Sequence, residues 1–121
     1  MSDERIKLRP RDESFPKIVC LCGSTRFHKQ FNDVGLRETL AGNIVLSIGA
    51  AVTTDEEHFG HLSKREMEEV KQRLDALHMH KIELADEIII LNIGGYVGES
   101  TAREIAYARE LKKPLRWEGP Q

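Results

Sequence analysis

Apolar positions along this chain fall into four short runs, and the stretches between them carry helical spacing. The most continuous run is Ile88-Ile89-Ile90-Leu91, entered through Asp86-Glu87 and left through Asn92–Gly98, which holds Gly94, Gly95 and Gly98. A run with no polar alternation suits a parallel strand covered on both faces. The glycines let the chain turn sharply and let backbone amides approach a ligand. The pattern then predicts a helix with Ser100 or Thr101 as N-cap. Ala102, Ile105, Ala106 and Ala108 would pack inwards, with Tyr107 and Arg109 reaching outwards. Earlier, Ile18–Cys22 forms a first apolar run that ends in Gly23-Ser24-Thr25-Arg26-Phe27. A helix over about 27–41 follows, with Phe31, Val34, Leu36 and Leu40 as its inward face and Gly42-Asn43 as its stop. Ile44–Ile48 is the second strand, and Gly49–Leu62 a polar loop of a length that is usually functional.

From Ser63 the apolar residues Met67, Val70, Leu74 and Leu77 recur at three-and-four spacing, the mark of an amphipathic helix. Ser63 with Glu66 fits a capping box at its start. The pattern runs on to Leu84, with a break expected near Asp75. Pro114–Trp117 closes the series as a short final strand. Strands alternating with helices imply right-handed parallel βαβ units. The expected fold is therefore a single α/β domain over 17–118, a doubly wound, mostly parallel sheet of four to five strands (Rossmann- or flavodoxin-like). Cys20–Cys22 and Ile88–Leu91 should lie on neighbouring central strands. Residues 1–16 are charge-dense and without period, and are expected to form a mobile arm.

The chain has 121 residues, enough for one real core. A net charge of −2 leaves no basic footprint for duplex nucleic acid, although one small nucleotide needs only a local site. No signal-peptide pattern and no apolar run near ~20 residues appears, so a cytoplasmic protein without a membrane span is expected. Cys20 and Cys22, two apart in a strand, point to the same face. They are too close in sequence for an unstrained mutual disulfide. They read as buried core thiols, and neither a metal nor a cofactor is expected.

Two turns follow strands and precede helices, Gly23–Arg26 and Gly94–Thr101, and each offers small donors and a helix N-terminus to an anion. Neither matches the dinucleotide fingerprint or the P-loop. Arg26 beside Ser24 and Thr25 strengthens the first turn, because a guanidinium suits an anion. In the second, Tyr96 could stack on a ligand. Glu104 falls early on the helix that follows, and ligands of open parallel sheets sit outside the carboxyl ends of the strands. An acid near a helix start is also simply favoured by the macrodipole. His58 and His61 flank Phe59 in the long loop, which could form a lid over a base. His78 and His80 lack the i, i+4 spacing of helical metal pairs.

KIVCLCGSTRF (Lys17–Phe27), taken with Leu84–Ala108, resembles the nucleoside 2-deoxyribosyltransferase-like superfamily. That superfamily exchanges or hydrolyses the base of nucleosides and nucleoside 5′-monophosphates. The likeness spans Lys17 to Trp117 and rests on its two ends: a strand ending in C-G-S, and L-A-D, strand, glycine turn, E-I-A-Y-A. It implies that Glu104 is the nucleophile of a double displacement through a glycosyl ester, as in a retaining glycosidase. His78 stands where members often carry an Asp near the base. It would protonate the leaving base, provided the helix breaks near Asp75. Glu99 is nearest to the acid that transferases place before the nucleophile. The glycine pair of the hydrolases after G-S-x-R is replaced here by Phe27 and His28. The implied substrate site takes in Gly23, Ser24, Thr25, Arg26, Asn92, Gly95, Tyr96, Gly98, Ser100, Thr101 and Phe59, with Asn92 or Tyr96 orienting Glu104 or the sugar. A homodimer or larger homo-oligomer is implied as well. A nucleotide-binding module without turnover is the competing expectation, and a hydrolase of a nucleotide-sugar or dinucleotide a third.

Overall fold

The structure is a computed structural model that describes residues 11–48 and 60–121, so the expected loop is seen only at its end, and His58 and Phe59 lie outside the described residues. Four strands carry the fold: β1 (Ile18–Gly23), β2 (Ile44–Leu46), β3 (Glu87–Leu91) and β4 (Leu115–Trp117). The three helices are α1 (His28–Leu40), entered through a 3-10 turn at Thr25–Phe27, α2 (Lys64–Leu84) and α3 (Glu99–Glu110). All pairings are parallel and the strand order is β2-β1-β3-β4. The expected neighbours pair directly, with Cys20 beside Ile88, Leu21 beside Ile89 and Cys22 beside Ile90.

Side-chain alternation divides the core between the two faces. Val19, Leu21, Ile89 and Leu91 pack under α1 through Phe31 and Val34. Cys20, Cys22, Ile88 and Ile90 pack under α2 and α3 through Ile82, Ala85, Ile105 and Ala108. The chain leaves β1 in one direction across the sheet and returns past it to β3 and β4. Right-handed crossovers then put the later helices on the opposite face from α1. This is the doubly wound arrangement. Among the described residues no helix is long and apolar enough to cross a membrane.

Several local expectations change. Leu36 and Leu40 on α1 are 61% and 79% exposed, and the buried residue between them is Glu38. On α2 the regular stripe is not the core face: Leu74 and Leu77 are exposed, and burial is confined to His78 and Ile82. Only the last turns of this helix lie over the sheet. The helix is also continuous through Asp75. On α3 the inward residues are Thr101, Glu104, Ile105 and Ala108, whereas Ala102 and Ala106 are exposed. Its N-cap is Gly98, two residues before the expected Ser100. β2 stops at Leu46, short of Ile48. The packed chain begins before Lys17, since Arg11 pairs with Asp86 at 3.3 Å and Phe15 packs on the α2–α3 core.

The buried Glu38 is held by Arg116 of β4 through two bonds of 3.0 and 2.9 Å, by Asn43 at 3.0 Å and by Arg37 at 3.1 Å. Arg116 also reaches Glu87 at 2.8 Å. The network joins α1 to both strands of the far edge. The Arg116 guanidinium holds the Glu38 carboxyl down to about 2, from an ordinary 4.5, against the opposing effect of burial. Because the folded value is depressed, the stabilisation is complete above 4.5 and is lost as pH falls towards about 2. Arg37 and Arg116 are partly solvated, which reduces the effect to about 2 kcal/mol. Wild-type protein should lose that much more stability than Glu38→Gln over this window, read by denaturant unfolding at stepped pH.

Gly23 closes β1 where an added Cβ would stand 3.0 Å from both the Cβ and the carbonyl oxygen of Leu91. Gly23→Ala should lower stability by about 1–3 kcal/mol, because overpacking outweighs the ~0.4–1 kcal/mol gained through the unfolded chain. The shift in the denaturation midpoint measures it.

Candidate functional site

The chain order reverses between β1 and β3, and ligands of open α/β sheets bind at the carboxyl ends of such a strand pair. The two turns singled out from the sequence both leave the sheet there. After β1, Ser24 is extended, and its hydroxyl accepts from the backbone N–H of Arg26 at 3.3 Å, capping the 3-10 turn. After β3, Asn92 leads into Ile93-Gly94-Gly95, where Gly94 and Gly95 have φ of 64° and 85°. Both lie in the left-handed region that glycine adopts without strain. The turns meet through side chains. The Arg26 guanidinium lies 4.0 Å from the centre of the Tyr96 ring, and Phe27 meets the same ring edge-on at 6.0 Å. Gly98, at the N-cap of α3, faces the Tyr96 hydroxyl, which an added Cβ would approach to 3.4 Å. Arg26 and Tyr96 thus form one exposed cation–aromatic platform at the mouth of the strand pair.

Beneath it lies a polar cluster inside the α2–α3 core. Glu104, in the second turn of α3, is 9% exposed and His78 5%, and the cysteines are fully buried. His78 Nε2 stands 3.8 Å from Glu104 Oε1, 3.3 Å from Cys22 Sγ and 3.7 Å from Cys20 Sγ. No break in α2 is needed to bring His78 here. Asp86 N bonds Ile18 O, which sets the end of α2 level with the start of β1. From Ala85 back to His78 is about 10 Å of helix, and from Ile18 up to Cys22 about 13 Å of strand. A straight helix therefore carries His78 to the level of the thiols.

Burial pushes the Glu104 carboxyl above its ordinary value, and the neighbouring His78 only partly offsets this. For His78, burial alone would lower the imidazole, but the bond and charge of Cys20, with Glu104, leave it raised. The two thiols divide. Hydrogen bonding from Cys22 brings Cys20 down to about 6 against burial, and Cys22, bonded to Cys20 and facing Glu104, is pushed up.

The other expected site residues are placed as follows. Asn92 is buried but turned away: its amide donates to Pro120 O at 2.8 Å, and its carbonyl accepts from Gly119 N–H at 2.7 Å. The C-terminal segment, not Glu104, holds this side chain. Thr101 is buried, Ser100 accepts from Arg103 at 3.2 Å, and Glu99 and Thr25 are exposed. Gly95 faces Pro120. Glu104 is enclosed where an opening to the cleft was expected. A groove of about 280 Å³ lined by Phe31, Gly35 and Val45 lies on the α1 side and takes no part in this cluster. What sequence reasoning treated as plain core is the thiol pair. The parity of Cys20 and Cys22 was its signal, but the helix residues they would face were not known.

No protein-family model matches the chain, and no curated protein does. Among solved structures it resembles a 2-desoxiribosyltransferase from Leishmania mexicana, with a TM-score of 0.60 and 18% sequence identity over 88% of this chain. The chain spans 66% of the length of that structure. At this identity the likeness is one of fold: the chain folds as a 2-desoxiribosyltransferase does.

Proposed function

We propose that this protein cleaves or transfers at the N-glycosidic bond of a nucleoside or nucleoside 5′-monophosphate, with Glu104 as nucleophile. The observation that carries the reading is Glu104's position on the helix that follows the glycine turn, at the switch between β1 and β3. The shared fold with a 2-desoxiribosyltransferase supports it. In the first step a Glu104 oxygen bonds to the anomeric carbon, and the carbon–nitrogen bond breaks. The base leaves with that electron pair and gains a proton. Water or a second base then displaces Glu104 from the glycosyl ester, regenerating the carboxylate. His78 Nε2 stands 3.8 Å from Glu104 Oε1, so in this reading it favours the ionised carboxylate and, when charged, supplies the leaving base's proton. The Arg26–Tyr96 platform offers an aromatic face to the base or sugar and a guanidinium to a 5′-phosphate. A cytoplasmic homodimer, with Leu74, Leu77 and Leu84 covered by a second copy, belongs to the same reading.

Glu104→Gln keeps the shape and removes the nucleophile. Base release from a panel of nucleosides and monophosphates, followed by chromatography, should fall at least ~100-fold while the unfolding curve barely moves. Because burial raises the Glu104 carboxyl, the acidic limb of the wild-type rate should lie above the ordinary 4.5. Full activity in Glu104→Gln removes the nucleophile assignment, and a wild-type protein that binds nucleosides but frees no base is a binding module.

Arg26→Ala should weaken a nucleoside monophosphate by about 1.5–3 kcal/mol, the worth of a charged hydrogen bond, and leave the free nucleoside nearly unchanged. Calorimetric titration of both ligands reads the difference. Equal affinity for the two in wild-type protein would take the phosphate out of the site.

A further inference from the structure

The buried cluster holds more ligand chemistry than a glycosyl nucleophile uses. Cys20 Sγ, Cys22 Sγ and His78 Nε2 all lie within 4.8 Å of one another, and all three residues are buried. One imidazole nitrogen has a single lone pair or a single hydrogen to offer. Yet two sulfurs face His78 Nε2, at 3.3 and 3.7 Å, so that nitrogen can bond only one of them, and Cys20 Sγ otherwise has the Leu21 carbonyl at a long 3.9 Å. A cation between them would satisfy all three. Zinc binds thiolate at about 2.3 Å and imidazole at about 2.0–2.1 Å, so a tetrahedral centre sets sulfur–nitrogen edges of about 3.5 Å. The two observed separations bracket that edge. The ligands are also fixed in place. Strand parity aims both thiols to one face of β1, and α2 brings His78 to their level. Glu104 comes from a third element; its Oε1 is 3.8 Å from His78 Nε2 but stands outside the mutually close group of the other three ligand atoms, so it reaches the fourth position by a side-chain shift. A disulfide is the poorer use of these thiols, since strand residues two apart have Cα atoms about 6.6 Å apart, at the upper limit for bridging.

We propose that Cys20, Cys22 and His78, with Glu104 in the fourth position, bind one thiophilic divalent cation of the Zn²⁺ type. On uptake every S–H still present, any proton on His78 Nε2 and any carboxyl O–H pass to the buffer, and four metal–ligand bonds form. Two thiolates and one carboxylate around a divalent ion leave one net negative charge. A carboxylate held by the metal is not free to attack a sugar, so cation uptake and the glycosyl chemistry compete for Glu104.

The test uses the full chain, freed of metal with a chelator, kept reduced with a phosphine and then titrated with Co²⁺. Expected are uptake of one equivalent, a near-ultraviolet thiolate-to-cobalt charge-transfer band, the strong visible bands of a four-coordinate ion, and bleaching of both by Zn²⁺. Cys20→Ser, Cys22→Ser and His78→Ala should each weaken uptake by no less than the roughly 10–100-fold typical of an outer-shell change. Glu104→Gln should keep the charge-transfer band, because both thiolates remain, and shift the visible bands. Serine at a fully buried position disturbs packing, so circular dichroism accompanies each variant and the wild-type spectrum carries the decision. A wild-type protein with no charge-transfer band, or with only the weak spectrum of an octahedral ion, overturns the proposal. So does undiminished uptake in a folded Cys22→Ser. No nucleoside enters this measurement, and base release is assayed on metal-free protein, so either proposal can fail while the other stands.

Discussion

The parallel pairing of β1 with β3 is the constraint from which the rest of this structure follows. Its register sets Cys20 beside Ile88 and Cys22 beside Ile90, which fixes the face that each side chain occupies. Slipping β1 by one residue would exchange its faces and bring Val19 and Leu21 under α2 and α3. The thiols would then point at Phe31 and Val34. The same pairing makes the switch point, because β2 lies outside β1 and β4 outside β3. Both glycine turns and the start of α3 are consequences of where that pair ends.

A second constraint comes from the dielectric of the core. Four groups able to carry charge sit inside an otherwise apolar layer of Ile82, Ile88, Ile90, Ile105 and Ala108. Removing one charge from water costs several kcal/mol unless a partner answers it. In the cluster His78 Nε2 faces both thiols at 3.3 and 3.7 Å, and Glu104 faces the same imidazole at 3.8 Å. The Glu38–Arg116–Glu87 network follows the same rule on the other face. There, however, the arginines reach solvent, and the network joins α1 to β3 and β4.

The sequence made the strands legible because uninterrupted apolar runs such as Ile88–Leu91 have few other uses in a chain this size. Order and direction followed from alternation with helices. Helix faces were less legible. Periodicity located a stripe at Met67, Val70, Leu74 and Leu77, but it cannot say how much of a 21-residue helix lies over a four-stranded sheet. The sheet is narrow, so only the last turns of α2 meet it. Leu36 and Leu40 were misjudged for a related reason. The α1 face near its end is taken by Glu38, whose burial depends on Arg116, a partner 78 residues away. The N-cap is Gly98 and not Ser100, and a Cβ on that glycine would stand 3.4 Å from the Tyr96 hydroxyl. Of the candidate site, the position of Glu104 on its helix could be read from the sequence. Its enclosure could not, since it depends on His78 and the thiols arriving from two other elements.

Enclosure changes what the carboxylate can do. In water a glutamate is ionised at neutral pH and weakly nucleophilic because it is solvated. Within this layer its charge is opposed by burial and favoured by His78 and Cys22. Any positive centre beside it, whether the imidazolium, a developing oxocarbenium ion or a metal ion, competes for the same negative charge at a range of about 4 Å. Coulomb interactions there are several-fold stronger than in water. The identity of the positive partner thus decides the behaviour of the site. A proton on His78 favours the ionised form of Glu104 without bonding it, while a metal ion would bind it directly. A sugar cation arriving from the cleft would meet the carboxylate only in the first of these states.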